Sequence, residues 1–218
     1  GALRYLPFGA LESPAGPLIA RYTILTHADV GAEGPASHGD KLRVRGFGVT
    51  RAVAGYAALP AVADELCYLV HGPIAGLGAA GGACTSATFG NGVIDGEAYA
   101  NEAFTADTLV TPLSRPGDFS VLHLGTHFSL RPGNALRSFL VLGNGGTLTL
   151  ERINALDFRG IELVTLSACQ TALGGATTDD GRELEALSAI VQRRGARRVI
   201  ASLWQVEDKS TASLMRTL

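Results

Sequence analysis

The chain has 218 residues and a mass of 22.6 kDa, about the size of one domain or one domain with a small appendage. Apolar residues make up 46% and charged residues 17%, enough to bury a sizeable core and too few charges for intrinsic disorder. The net charge is −2 and the pI near 6.2, no basic stripe of a nucleic-acid binder is visible, and no apolar run is long enough for a membrane span.

Residues 1–27 read as a β-hairpin, with Leu3 to Leu11 and Leu18 to Thr26 as strands around the turn Glu12-Ser13-Pro14-Ala15-Gly16. The N-terminus lacks the basic start and long apolar stretch of a signal peptide. Residues 28–40 are loop-like, so 1–40 form an appendage and 41–218 the main domain. Lys41 to Arg51 alternates like a strand, and Pro60 opens a helix whose Leu59, Val62, Leu66, Leu69 and Val70 recur at helical spacing. Residues 72–92 are glycine-rich and read as one mobile loop. Gly76-Leu77-Gly78-Ala79-Ala80-Gly81 matches the dinucleotide fingerprint in form, but no helix pattern follows, so no cofactor is expected there.

Val93 to Ala100 is the next strand. Phe104 to Leu113 is a helix with Thr105 as N-cap and Asp107 in its first turn. Phe119 to Thr126 is continuously apolar, the pattern of a strand buried on both faces. Gly143 to Gly146 and Leu148 to Leu150 suggest a turn and a short hairpin strand. Ile161 to Ala168 and Arg198 to Trp204 are two more buried strands, separated by a helix from Arg182 to Arg194 that stops at Gly195. The run Arg193, Arg194, Arg197 and Arg198 reads as a solvated helix end. Asp208 caps a last helix that is cut off at Leu218. Strands alternating with helices predict an α/β layer with a mostly parallel sheet.

In such a sheet, ligands bind beyond the carboxyl ends of the strands. One buried strand ends in Thr126-His127, another in Ala168-Cys169-Gln170, and a third in Trp204-Gln205-Val206-Glu207-Asp208. On neighbouring strands, about 4.8 Å apart, His127 and Cys169 would meet. An imidazole that draws the proton from a thiol raises the nucleophilic thiolate fraction and can later protonate a leaving amine. Backbone N–H groups of Cys169 and Phe128 are the natural donors to an oxyanion. The residues alone also allow a buried structural Cys and a satisfied core His. His123 lies four residues before His127, too far along a strand for both to grip one metal, so no metal is expected and His123 orients its surroundings by hydrogen bonds. No G-x-S-x-G elbow occurs. Three cysteines, Cys67, Cys84 and Cys169, are an odd count with no CxxC pair; a disulfide scaffold is not expected, and a reducing cytoplasm is the default setting. Cys67 reads as a core residue, and Cys84 as a loop residue without a basic partner.

VLHLGTHF (121–128), LVTLSACQTALGG (163–175) and ARRVIASLWQVEDKSTASLM (196–215), in this order and spacing, resemble the CHAT family, caspase-like cysteine peptidases related to separases and gingipains. LRYLPFGAL (3–11), NEAFTADTL (101–109) and DGRELEALS (180–188) extend the resemblance over almost the whole chain. It implies a caspase–hemoglobinase-like three-layer sandwich, with His127 as acid/base, Cys169 as nucleophile and no metal or organic cofactor. Caspase-type enzymes commonly carry Gly where Phe128 stands; the N–H survives that change, but a left-handed backbone there would be costly for Phe. SLWQVEDKST resembles the separase pocket segment. Asp208 matches one acid of that pattern, Gln205 replaces another, and Trp204 is a pocket wall or a core residue. An acid there would favour a substrate Arg or Lys, although Asp208 also serves as a helix N-cap.

The expected function is cleavage of protein or peptide substrates by a bacterial-type cytoplasmic domain, excised from a longer protein. An attached or associated tetratricopeptide-repeat region would regulate it; neither nucleic acid nor membrane is an expected partner. The rival expectations are a catalytically silent interaction module and a cysteine hydrolase of small amides. Self-processing within 72–92 is a further option.

Overall fold

The computed structural model describes residues 11–14, 16–20, 41–78, 84, 88–115, 117–129, 131, 134–167, 169–170 and 182–201; at 19, 135, 169–170 and 182–186 the description is of the backbone. Strands β1 (Glu12–Ser13) and β2 (Gly16–Pro17) pair antiparallel, with Ser13 opposite Gly16. Leu18–Ala20 is a 3-10 turn where the sequence suggested a strand. The rest of the expected hairpin lies outside the described residues.

The chain continues through β3 (Arg43–Gly48), α1 (Ala61–Leu69), β4 (Val70–Ala75), β5 (Phe89–Asn91), β6 (Ile94–Ala100) and α2 (Ala106–Leu113). It then forms β7 (Val121–Gly125), β8 (His127–Ser129), β9 (Phe139–Val141), β10 (Thr147–Thr149) and α3 (Leu150–Asn154). β11 (Leu163–Leu166), β12 (Cys169–Gln170), α4 (Arg182–Arg193) and β13 (Val199–Ala201) complete the described order. The central sheet runs β13-β11-β7-β3-β6-β4-β5 and is parallel except at the β4–β5 edge. A second sheet runs β10-β9-β8-β12. This mixed α/β architecture with a mostly parallel centre is consistent with a caspase-like fold.

Local chemistry explains the elements. The Thr105 hydroxyl accepts from the Thr108 N–H at 3.2 Å and caps α2, as its sequence suggested. Gly195, at φ +117, ends the α4 segment in a conformation costly for other residues. Arg193 and Arg194 are exposed there, and Arg197 pairs with Glu162 at 3.1 Å. Residues 72–92 are not one loop: β4 and β5 enter them. Gly72-Pro73 hid β4 from the sequence reading, because that dipeptide normally punctuates a strand. β8, β9 and β12 are too short to leave an apolar period and were visible only as flanks of other segments.

One face of the central sheet packs under α2, α3 and α4, around Phe47, Phe104, Leu122, Leu124, Leu150 and Leu187. The other packs under α1, around Val44, Val62, Leu66, Val70, Ile74 and Ala98. Glycines form the floor below α1. A Cβ at Gly48 would stand 2.6 Å from Val62, one at Gly125 2.7 Å from Val62, and one at Gly46 2.8 Å from Leu66. The alternating glycines of β3 therefore let α1 sit directly on the sheet.

Cys67 and Cys84 form a disulfide, with Cα atoms 5.1 Å apart. This corrects the expectation of unpaired cysteines. Linear spacing says nothing about proximity: Cys67 is buried on α1, and Cys84 packs on the same core. Cysteine usage thus no longer argues for a reducing setting.

Candidate active site

β7 and β11 are parallel neighbours, paired from Leu163 opposite Val121 to Leu166 opposite Leu124. Both then leave the central sheet at the same level and resume in the second one as β8 and β12. The 42-residue offset between the strands persists through the bend, so Cys169 stands opposite His127 and Gln170 opposite Phe128. Two bonds hold the bend. The Ser167 N–H donates to the Leu124 carbonyl at 2.8 Å, and the Thr126 hydroxyl makes a short bond to the Val141 carbonyl of β9. The backbones of His127 and Cys169 are therefore side by side, about one strand spacing apart.

The His127 side chain is fully buried. Its Nε2 lies 2.8 Å from the Ala57 carbonyl oxygen, which can only accept, so Nε2 carries a hydrogen and donates it. Tyr56 stacks on the imidazole at 5.1 Å between centroids and 28° between planes. Both residues are delivered by a tight turn, Val53-Ala54-Gly55-Tyr56, with reciprocal backbone bonds of 3.2 and 2.8 Å between Val53 and Tyr56. Its central residues have φ of 50° and 86°. Ala54 is one of two described non-glycine residues with positive φ, the other being Asn101 at 49°. Asn101 is buried and holds the start of the same loop: its side-chain oxygen accepts from the Thr50 N–H at 3.0 Å and the Arg51 N–H at 3.3 Å. Its amide nitrogen donates to the Gly76 carbonyl at 3.1 Å. The sequence reading missed the loop; the Ala-Gly pair between Val53 and Tyr56 was its one available signal.

A buried polar group lies beneath the bend. Glu65 of α1 is wholly buried, and one carboxylate oxygen accepts from the Ser167 hydroxyl at 2.9 Å. Its other oxygen lies 3.2 Å from His123 Nε2, close enough for electrostatic attraction but off the direction of a good hydrogen bond. His123 Nδ1 meets the Thr165 hydroxyl at 2.8 Å. His123 thus orients its surroundings as expected, while Glu65 and Ser167 escaped notice because an isolated Glu in an amphipathic helix reads as surface.

Of the residues singled out from sequence, the fold brings His127, Phe128 and Cys169 onto adjacent short strands. Phe128 is fully buried and extended between Leu140 of β9 and Gln170 of β12, so the left-handed backbone that would penalise Phe is not adopted. Trp204, Gln205 and Asp208 lie outside the described residues. Among the described residues no three His, Cys, Asp or Glu side chains cluster as metal ligands, and no helix is long and apolar enough to cross a membrane.

No curated protein matches the chain. The family model of the CHAT domain matches residues 1–218, the full length given, and the chain accordingly belongs to the CHAT family of caspase-like cysteine peptidases.

Proposed function

We propose that the chain is a cysteine endopeptidase in which Cys169 is the nucleophile and His127 the general acid/base. The observation that carries this reading is the parallel pairing of β12 with β8, which sets Cys169 opposite His127. The Ala57 carbonyl supports it, because a bond to Nε2 fixes the orientation of the imidazole beside the neighbouring strand. The Cys169 sulfur attacks the scissile carbonyl carbon as a thiolate, forming a C–S bond and an oxyanion. The N–H groups of Cys169 and Phe128 stabilise that charge. Collapse breaks the C–N bond while His127 gives its proton to the leaving amine. His127 then takes a proton from water, whose oxygen displaces Cys169 from the thioester and releases the acid. No metal or organic cofactor enters the scheme. From the resemblance to the separase segment we assign Trp204, Gln205 and Asp208 to recognition of the residue before the scissile bond, an acid at Asp208 favouring Arg or Lys, with a helix cap at Asp208 and a core site at Trp204 as the rival roles.

One observation favours a latent form of the enzyme. The His127 ring is fully buried under Tyr56, so substrate access requires an opening that a partner, such as an attached tetratricopeptide-repeat region, would provide. The cysteine count and spacing pointed to a reducing cytoplasm, whereas the Cys67–Cys84 disulfide favours an oxidising setting; thiol labelling of Cys67 in intact cells decides between them.

A peptide-based electrophile tests the reading. It should label Cys169, and His127→Ala should abolish the labelling. A Cys169 thiol as sluggish as that of a denatured control, with and without candidate partners, would leave an interaction module instead. Processing of simple amides but no peptide would move the substrate class to small molecules.

A further inference from the structure

We propose that Glu65 is a positioning residue that sets the heights of the two strands presenting His127 and Cys169; the inference rests on the peptidase reading above. Three elements must keep register for that dyad to form: β7 leading to His127, β11 leading to Cys169, and the segment before α1 whose Ala57 carbonyl holds His127 Nε2. Glu65 touches the first two and lies on the helix that the third leads into. It sits on α1 one turn after Ala61, where the Ala57 segment enters the helix. It accepts from Ser167, two residues before Cys169, and it faces His123, four residues before His127. His123 in turn bonds Thr165 of β11, which ties the two strands together a second time.

Stability alone does not account for this group. Glu65, His123, Thr165 and Ser167 are all buried among apolar residues, and a carboxylate stripped of water is costly unless paired and hydrogen-bonded. Apolar side chains of the same volume would fill the space at less cost. What a carboxylate adds is direction: one oxygen accepts from the Ser167 hydroxyl at 2.9 Å, while the other lies 3.2 Å from His123 Nε2, so the two strands are referred to one group on α1. A hydrocarbon contact would tolerate sliding of one strand past the other. The glycine floor at Gly46, Gly48 and Gly125 serves the same end, since only a helix seated that closely can reach both strands.

The test uses unreduced protein, in which Cys67 and Cys84 are bonded to each other and Cys169 is the remaining cysteine. Ser167→Ala and Glu65→Gln remove the bond or the charge with little change of volume, and Ser167→Thr restores the hydroxyl. Iodoacetamide alkylation of Cys169, peptide kcat and KM, and the thermal midpoint are measured for each, with His127→Ala as reference. In Ser167→Ala and Glu65→Gln, alkylation rate and kcat should fall on the order of 10- to 100-fold, with KM nearly unchanged and Ser167→Thr recovering most of the loss. Wild-type rates in both variants would overturn the proposal, as would a loss that appears only in KM or that Ser167→Thr does not repair. A wild-type thiol no faster than in His127→Ala would instead sink the peptidase reading. A wild-type thiol faster than in His127→Ala but unaffected in Ser167→Ala sinks only the role of Glu65.

Discussion

The two faces of the central sheet are built on different principles. Under α2, α3 and α4 the interface is hydrocarbon, with Phe47 and Phe104 rings 5.1 Å apart and leucines from four strands around them. Under α1 the core is apolar around Val62 and Leu66, but there β7 and β11 and the residue after β11 also present His123, Thr165 and Ser167, and the helix answers with Glu65. Alternation along β7 and β11 produces the contrast, because even positions face one layer and odd positions the other. Non-directional burial fixes that the sheet is covered but not by what offset. The polar face fixes offset, and it lies beneath the positions from which β8 and β12 depart. Stability and site geometry are therefore separable by choice of face.

Substitutions on each face should break that division or sharpen it. The largest loss of stability is expected from Phe104→Ala, which empties a fully buried ring site on the hydrocarbon face. It should cost about 3–5 kcal/mol and lower the thermal midpoint by roughly 6–20 °C. Cys169 alkylation per folded molecule should stay at the wild-type rate; a matching loss of reactivity would show that the faces are not separable. Opening the Cys67–Cys84 disulfide with a mild reductant should cost about 3 kcal/mol, since the bridge closes a 17-residue separation. Calorimetry with and without reductant checks this, and Cys67→Ser with Cys84→Ser should reproduce it. Thr105→Ala should remove the α2 cap at a cost of about 1 kcal/mol, read from urea midpoints, with no effect on the site.

The smallest effect concerns a surface pair remote from both faces. Arg159 hydrogen-bonds the Asp157 carboxylate and pulls its pKa down to about 2, below its ordinary value. A depressed carboxylate stabilises the fold above the unfolded-state pKa of roughly 4 and loses that contribution as pH falls toward 2. Arg159 is well exposed and Asp157 partly so, and solvent screens the pair, so Asp157→Asn should cost a few tenths of a kcal/mol at pH 7 and nothing near pH 2. A difference that grows on acidification would reverse the sign and refute the assignment.

Segments with long periods were legible before any coordinates. The apolar run around Val121 to Gly125, the Pro60 start of α1, the Thr105 cap and the Gly195 stop each depend on a few neighbouring residues, so local chemistry decides them. β4 was not legible, because Gly72 and Pro73 carry turn chemistry inside a strand whose partners are remote in sequence. The small second sheet was not legible either, since three-residue strands have no period to read. The Cys67–Cys84 bond depends on tertiary proximity, which no spacing rule encodes.

The sequence by itself determined which residues could carry the chemistry: a His and a Cys, each closing a buried strand, inside motifs that resemble one peptidase family. Only the tertiary structure decided that those strands are neighbours, that their offset survives the bend into a second sheet, and that a turn at Ala54-Gly55 brings a carbonyl to the His127 ring. The physical reason is the range of the forces involved. Propensity, capping and periodicity act over a few residues, whereas strand register and the burial of Glu65 depend on contacts between segments 40 to 100 positions apart.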